Sequence, residues 1–199
     1  HLLSRRQRQM CIRDRYVVGS VEYQYPNHLF QAGYFLDKKY YDENTIDFKH
    51  LLLSEKNQSL LKDIQNSNSV GVHIRRGDYM TKQNLVIFGN ICTQKYYHDA
   101  IRIITEKVND AVFYVFSDDI SWVQTHLDIP NAVYVNWNTG ESSIYDMYLM
   151  SSCKYNIIAN STFSYWAARL NKKTNMVIYP SKWYNTFTPD IFPESWCGI

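Results

Sequence analysis

Residues 70–79 read VGVHIRRGDY, and this run joins the pattern of a buried strand to a cluster of charge. Val70, Val72 and Ile74 fall on one face at a period of two, which predicts a β-strand. The strand leads directly into two arginines, a glycine and an aspartate. In open α/β sheets, ligands bind at the carboxyl ends of the strands. The run therefore predicts a binding site where this strand ends.

The two adjacent arginines suit a diphosphate, because a guanidinium group pairs with phosphate oxygens through two parallel hydrogen bonds. Gly77 lets the chain turn and approach a ligand closely. Three simpler explanations stay open from these residues alone. Arg75 or Arg76 could form a structural ion pair with Asp78, the Arg-Gly-Asp tripeptide could be an adhesion signal, and His73 could be a hydrogen-bonded core histidine.

The composition is that of a globular chain with a large core. Of 199 residues, 45% are hydrophobic and 16% aromatic, and no run of 18 apolar residues suggests a membrane span. Residues 1–15 hold five of the 21 basic residues and one of the 19 acidic ones. Because the basic excess is confined to this segment, the charge does not indicate a nucleic-acid partner. The cysteines are scattered without a CxxC pair, which favours a reducing compartment and free thiols: Cys11, Cys92, Cys153 and Cys197.

Three segments differ in character along the chain. Residues 1–15 are basic and lack helical or strand periodicity, so we expect a non-native tail of adapter-derived sequence, with a basic arm that touches acidic lipid as the alternative. Residues 16–69 are predicted to be the remnant of an N-terminal domain and a linker. Residues 70–199 are predicted to form a Rossmann-like domain with an aromatic C-terminal extension from residue 181.

Apolar runs alternate with helical spacings after the first strand. This alternation predicts right-handed βαβ crossovers and an α/β fold with a doubly wound parallel sheet. The further predicted strands are residues 111–116, 132–135, 155–159 and 176–179. The predicted helices are residues 46–64, 97–108, 121–126, 144–151 and 163–170, and residues 80–94 are predicted to be a polar loop.

Polar residues follow three of the predicted strands, and a parallel sheet would bring them to one edge. These residues are His73, Arg75 and Arg76, then Ser117, Asp118 and Asp119, and then Asn160, Ser161 and Thr162. The start of the helix after Asn160 would offer free amides and hydroxyls to a phosphate, although simple capping by Asn160 or Ser161 is the alternative. The aspartates could accept hydrogen bonds from a nucleobase or a ribose, or could cap a helix. Together the three strand ends predict a nucleotide-diphosphate site.

Metal binding is not indicated by the sequence. Asp118 and Asp119 are the only carboxylate pair at a strand end, and the arginines already supply the positive charge that a cation would bring. The Gly-x-x-x-x-Gly-Lys-Ser/Thr loop of P-loop NTPases is absent. The residues therefore do not predict a metal site.

With these residues in place, the chain resembles the α-1,2-fucosyltransferase family, glycosyltransferase family 11. Residues 72–79, 116–123 and 146–166 resemble its three motifs, and residues 180–183 and 190–196 resemble its C-terminus. The resemblance runs from about residue 33 to residue 199. Tyr155, Tyr165 and Ala167 depart from the expected His, Trp and Gly and look like packing variants.

The resemblance implies an inverting, metal-independent transfer of L-fucose from GDP-fucose to a galactoside hydroxyl, with no cofactor, on a fold of the GT-B type. It implies that Arg75 binds the β-phosphate and that Arg76 supplements its charge. It also implies that His73, Asp118 and Asp119 contact the ribose and guanine, while Ser161, Thr162 and Phe163 lie on the diphosphate side. Asp78 is the carboxylate nearest in sequence and could act as the base or orient an arginine.

The family's Gly-rich N-terminal loop has no counterpart here, so the resemblance implies the C-terminal, donor-binding part of such an enzyme. Two alternatives remain: another GDP-fucose-dependent fucosyltransferase (α-1,6 or peptide O-linked), or a non-catalytic nucleotide- or glycan-binding fragment. The expected partners are GDP-fucose and a galactose-containing acceptor glycan. The richness in Asn, Lys, Ile and Tyr favours a bacterial cytoplasmic enzyme. Peripheral association with the inner membrane is the alternative.

Overall fold

The computed structural model describes residues 47–199, together with the backbone of two strands further upstream. These two strands, β1 (Val21–Tyr25) and β2 (His28–Ala32), pair antiparallel as a separate two-stranded sheet. The expectation for residues 1–15 lies outside the described residues, as does most of residues 16–46 within the predicted N-terminal remnant. Residues 47–188 and 192–199 form one compact unit, which carries the strand ends singled out above.

This unit alternates strands with helices in the order that the sequence predicts. Its strands are β3 (Asn68–Ile74), β4 (Ala111–Ser117), β5 (Ala132–Val135), β6 (Tyr155–Ile157), β7 (Met176–Tyr179) and β8 (Cys197–Gly198). Its α-helices are α1 (Glu55–Asn66), α2 (Lys82–Phe88), α3 (Gln94–Lys107), α4 (Ile120–His126), α5 (Ser143–Ser151) and α6 (Thr162–Arg169). Short 3-10 turns lie at Gly77–Met80 and Gly140–Ser142.

The six strands form one parallel sheet in the order β5-β4-β3-β6-β7-β8. Helices cover both faces, which confirms the predicted doubly wound α/β fold. Val70, Val72 and Ile74 pack with α3 and α4 on one face, and Tyr114 and Phe116 pack with α1, α5 and α6 on the other. Six of the seven β3 residues are buried because β3 lies inside the sheet with helices on both sides.

Gly71 lets α5 pack closely over the middle of β3. A Cβ at this position would lie 2.8 Å from Asn156 Nδ2 and 3.0 Å from Met150 Cγ. Such contacts are tighter than a packed core tolerates, so a side chain here would push the helix away from the sheet. The glycine therefore allows α5 to lie close to the central strand.

The sheet has a topological switch point between β3 and β6. The chain moves outward from β3 through β4 to β5 and then returns to form β6 on the other side of β3. Pairing between β3 and β6 ends at Val72 and Ile157, whereas β3 continues beside β4 to Ile74. The next residue, Ile158, donates its backbone N–H to Ile178 of β7 at 2.9 Å. The strands therefore part at their carboxyl ends, and such a crevice is where open α/β sheets bind ligands.

Three elements differ most from the predictions. The first helix begins at Glu55 rather than residue 46, because the Ser54 hydroxyl caps it by accepting a bond from the Asn57 N–H at 3.3 Å. Residues 82–88 form α2, capped by Thr81, where a loop was predicted. The C-terminal extension supplies an edge strand, β8, which was not predicted.

The described cysteines, Cys92, Cys153 and Cys197, are free thiols, as predicted. Among the described residues, no helix is both long and apolar enough to cross a membrane.

Candidate functional site

The three predicted strand ends meet at one edge of the sheet. Ile74 of β3 pairs with Ser117 of β4, so the arginines lie beside the two aspartates. On the other side of β3, the chain leaving β6 leads through Asn160 to the start of α6. The parallel order therefore brings together the residues that the sequence predicted for one site, and it places them around the switch point.

Arg75 bridges two carboxylates in front of this crevice. Its Nη2 donates to Asp78 Oδ1 at 2.6 Å, and its Nη1 lies 2.9 Å from Asp118 Oδ2. The ion pair with Asp78, left open by the sequence, is therefore present. The Asp78 side chain is 58% exposed, whereas that of Asp118 is 27% exposed. Asp118 is thus the more buried partner of the guanidinium, and Asp78 is its solvent-facing partner, in an ion pair that is weak because it is exposed.

Arg76 is more buried than Arg75 and contacts different neighbours. Its guanidinium lies 3.7 Å above the ring of Trp122, and its Nε donates to Asp119 Oδ2 at 3.2 Å. The other side-chain oxygen of Asp119 accepts a bond from the Trp122 N–H at 3.1 Å and so caps α4. The His126 ring stacks on Trp122 at 4.6 Å. Arg76 and Asp119 thus join the strand ends to α4, and the helix-cap alternative for Asp119 is present in the structure.

Gly77 leaves the space that Asp118 occupies. Asp118 Oδ1 accepts a bond from the Arg76 backbone N–H at 2.9 Å, and a Cβ on residue 77 would overlap Asp118 Oδ2. The glycine is needed here because of close approach. Asp118 therefore fixes both the Arg75 side chain and the turn that follows it.

His73 lies on the same edge beneath Phe163, with ring centroids 5.1 Å apart. It is 5% exposed, and its Nδ1 is buried without a hydrogen-bond partner in the described part of the chain. Burial, aided by the positive charge of Arg75, lowers the pKa of His73 to about 3. The imidazole is therefore neutral, and an unsatisfied buried ring nitrogen needs an explanation because such groups are rare in folded proteins.

The start of α6 is left open although Asn160 and Ser161 precede it. Ser161 occupies the N-cap position but makes no side-chain capping bond, so simple capping, the alternative that the sequence left open, is not observed. The Asn160 amide instead donates to the carbonyls of Trp183 at 3.0 Å and Phe88 at 3.3 Å. Asn160 therefore holds the turn in place, while Thr162 and Phe163 are partly exposed at the helix start.

A second polar cluster, not singled out in the sequence, lies at the end of β5. Asn138 Nδ2 donates to Asp146 Oδ1 of α5 at 2.6 Å, and Asn138 exchanges hydrogen bonds with Asn57 of α1 at 3.0 and 3.1 Å. Trp137 also donates to Asn57 at 2.7 Å. Burial raises the pKa of Asp146 to about 7, against the opposing effect of the Asn138 hydrogen bond. A buried acidic residue within a polar network is a signal that only tertiary contacts reveal.

This raised pKa predicts a pH-dependent stability difference. The folded state holds the Asp146 proton more tightly than the unfolded state, whose carboxyl titrates near 3.8, so the wild type loses stability as pH rises from about 4 through 7. Asp146→Asn keeps the acceptor for Asn138 and removes this loss. The difference in Tm between the variant and the wild type should therefore increase by a few degrees as the pH is raised from about 5 to about 8. The exposed Asp128→Asn corrects for net charge, and a Tm gap that is constant with pH would contradict the assignment.

No group of three or more His, Cys, Asp or Glu side chains within the described residues is arranged to hold a metal ion. Arg75 and Arg76 lie at this edge, and both are within ion-pair distance of carboxylates.

A doubly wound parallel sheet with a charged crevice at its switch point defines a Rossmann-like domain. The sequence profile described as Glycosyl transferase family 11 matches residues 12–199. The chain therefore belongs to glycosyl transferase family 11, as its motifs suggested.

Curated relatives agree with this family. An α-1,2-colitosyltransferase of Escherichia coli is 35% identical over 196 residues, which cover 91% of this chain and 63% of the relative. An O-antigen biosynthesis glycosyltransferase of Escherichia coli is 44% identical over 122 residues, which cover 60% of this chain and 40% of the relative. The galactoside α-(1,2)-fucosyltransferase 2 of Pongo pygmaeus is 28% identical over 163 residues, 75% of this chain and 48% of the relative. The chain thus spans roughly half the length of these relatives.

Proposed function

We propose that the chain is the donor-binding part of an inverting glycosyltransferase that transfers L-fucose from GDP-fucose to a galactoside hydroxyl in α-1,2 linkage. The observation that carries the proposal is the position of Arg75 at the switch point, across the crevice from the open start of α6. A cation and a set of free helix-start amides facing one crevice suit a diphosphate. The whole chain would then correspond to the C-terminal part of a GT-B type enzyme.

The diphosphate would bind between Arg75 and the residues that begin α6. Arg75 would supply guanidinium hydrogen bonds, and Ser161 and Thr162 would add hydroxyls to the amides of the helix start. Asn160 would act indirectly, because its side chain already holds the turn. Phe163 lies between this turn and His73 and would line the nucleoside side.

The nucleoside would lie toward His73. A neutral imidazole with one unsatisfied nitrogen can accept a hydrogen bond from a ribose hydroxyl once the ligand displaces its covering groups. Asp118 and Asp119 are already paired with the arginines, so they would act on the donor mainly by orienting Arg75 and Arg76.

The chemical step would gain most from Arg75. As the anomeric carbon separates from the β-phosphate oxygen, negative charge develops on GDP, and a fixed cation beside it stabilises the transition state. Binding of the diphosphate to Arg75 would also release Asp78, which is the more exposed of its two partners. The freed carboxylate could then accept the proton of the acceptor hydroxyl, whereas in the empty site it orients the arginine.

The relatives support a carbohydrate acceptor. Two come from Escherichia coli, one of them named for O-antigen biosynthesis, and the primate relative is named for galactosides. We therefore propose a galactose-containing acceptor within a bacterial surface polysaccharide. Such an enzyme would work in the cytoplasm, at or near the inner membrane where these precursors are assembled.

Colitose is the second candidate sugar, because the relative that covers 91% of this chain is named as an α-1,2-colitosyltransferase. Colitose is fucose without one ring hydroxyl. A site that hydrogen-bonds this hydroxyl rejects the deoxy sugar strongly, whereas an apolar surface distinguishes the two only weakly.

The proposal is tested by calorimetric titration of the chain with GDP, UDP and GTP in the presence of EDTA. We expect GDP to bind without metal and more tightly than UDP, because the base as well as the diphosphate contacts the site. Displacement by GDP-fucose and GDP-colitose then ranks the two sugars. Equal affinity for GDP and UDP, or binding that requires a divalent cation, would contradict the proposal.

A further inference from the structure

The hydrogen bonds between β3 and β6 stop short of the edge that forms the site. The β3–β6 ladder ends at Val72 and Ile157, and Ile158 bonds to β7 instead. The two sides of the crevice, His73–Arg76 and Ile158–Thr162, therefore need another connection if their spacing is to be fixed.

Two neighbouring tyrosines of α3 make such a connection from below. Tyr97 donates its hydroxyl to the backbone carbonyl of His73 at 3.1 Å, and Tyr96 donates to that of Ile158 at 2.6 Å. Both rings are buried and meet edge-to-face at 5.0 Å. One helix thus binds both sides of the crevice. Burial raises the pKa of each hydroxyl well above its ordinary value, so both remain protonated donors at any working pH.

A third tyrosine crosses the crevice from the arginine turn. Tyr79 donates its hydroxyl to the Asn160 carbonyl at 3.0 Å, directly before the start of α6. Its ring stacks on Phe88 at 4.5 Å, and the Arg75 guanidinium lies 5.6 Å from the ring centroid. The turn that carries Arg75 is therefore tied to the turn that opens α6.

We propose that Tyr79, Tyr96 and Tyr97 are positioning residues that replace the missing β3–β6 ladder and set the distance between Arg75 and the start of α6. This inference rests on the proposed function, because a diphosphate is the ligand that would span that distance. All three hydroxyls bind carbonyls within two residues of a predicted ligand group. Phenylalanine at these three positions would fill the same space, but packing alone would then set the distance between Arg75 and the start of α6.

Hydroxyl-deleting variants test the inference without changing ring packing. Tyr96→Phe combined with Tyr97→Phe should weaken GDP binding about five- to tenfold, and Tyr79→Phe about three- to fivefold, because each loses a hydrogen bond that orients the site. Tyr114→Phe is the matched control, since the buried Tyr114 hydroxyl shares a 3.1 Å bond with Ser67 at the far end of β3. GDP affinity is measured by calorimetry, folding by thermal melting, and the β-phosphate environment by its ³¹P chemical shift.

A positioning role predicts that the double variant and Tyr79→Phe change the ³¹P chemical shift of bound GDP. Tyr114→Phe should lower Tm about as much as these variants do, but leave the GDP affinity and the ³¹P shift unchanged. Unchanged affinity and shift in folded Tyr79→Phe and Tyr96→Phe/Tyr97→Phe proteins would overturn the inference but not the proposed function. If the double variant fails to fold, Tyr79→Phe and the single variants decide. Failure of the wild type to bind GDP would overturn the proposed function and this inference with it.

Discussion

Arg75→Ala is expected to lower donor-dependent turnover by about 100- to 1000-fold, because it removes the fixed cation at which leaving-group charge develops. Affinity for GDP should fall less, by roughly 10- to 100-fold, since the ground state carries less charge at that oxygen than the transition state. Arg75→Lys keeps the charge but loses the bidentate hydrogen bonding. Its turnover and its GDP affinity should therefore lie between those of the alanine variant and the wild type. Calorimetry with GDP on this chain measures the affinity, and a donor-turnover assay on the full-length enzyme measures the turnover.

The control for this substitution is Arg102→Ala on α3. Arg102 is 61% exposed and pairs with Glu106 at 3.0 Å on the outer surface, so its removal changes the net charge by the same amount away from the site. Loss of GDP affinity in both variants to the same degree would show a general effect of charge. Near-wild-type turnover in Arg75→Ala would show that the arginine does not stabilise the leaving group.

Gly77→Ala is expected to weaken GDP binding about 10- to 100-fold, although it adds only a methyl group. The new Cβ would overlap Asp118 Oδ2 and lie 3.3 Å from its Cγ, so the carboxylate must leave its place between Arg75 and the Arg76 N–H. A displacement of about 1 Å of a positioning group can cost about 100-fold in activity, so a loss of 10- to 100-fold in GDP binding is expected.

A double-mutant cycle identifies the cause of this loss. Asp118→Ala removes the overlapping atoms, so adding Gly77→Ala to that background should cost little further affinity. Additive losses would mean that the alanine acts on the backbone rather than on Asp118. Thermal melting of all four proteins separates an effect on the site from a general loss of stability.

The strands could be predicted because their signals are local. Apolar runs such as residues 111–116 and 132–135 predict strands by themselves, and both lie within one residue of the observed limits. Once the strands were parallel, the meeting of Arg75 with Asp118 at one edge followed from topology. The first helix was predicted too long because residues 46–54 carry apolar residues, yet Leu52 is 85% exposed and Ser54 begins the helix.

The contacts that tune the site were not predictable from spacing. Tyr97 fits a helical apolar pattern, and nothing local shows that its hydroxyl binds the His73 carbonyl. Asp146 stands among ordinary helix residues, and its raised pKa arises from burial, against the opposing hydrogen bond from Asn138, which follows β5. The edge strand β8 was missed because two residues carry no periodicity and depend on β7 for their conformation. Each case depends on distant parts of the chain that only the folded structure brings together.

The central place of β3 also shapes how the protein can be made. β3 is synthesised before both of its neighbours, and its partner on the second side, β6, begins only at Tyr155. Until the ribosome has delivered that residue, the apolar β3 keeps one unpaired edge, which can template pairing with another chain. Pairings so distant in sequence also form slowly, because a large loop must close first. We therefore expect nascent chains to depend on chaperones until β6 has emerged, and refolding at high concentration to favour aggregates over the native sheet.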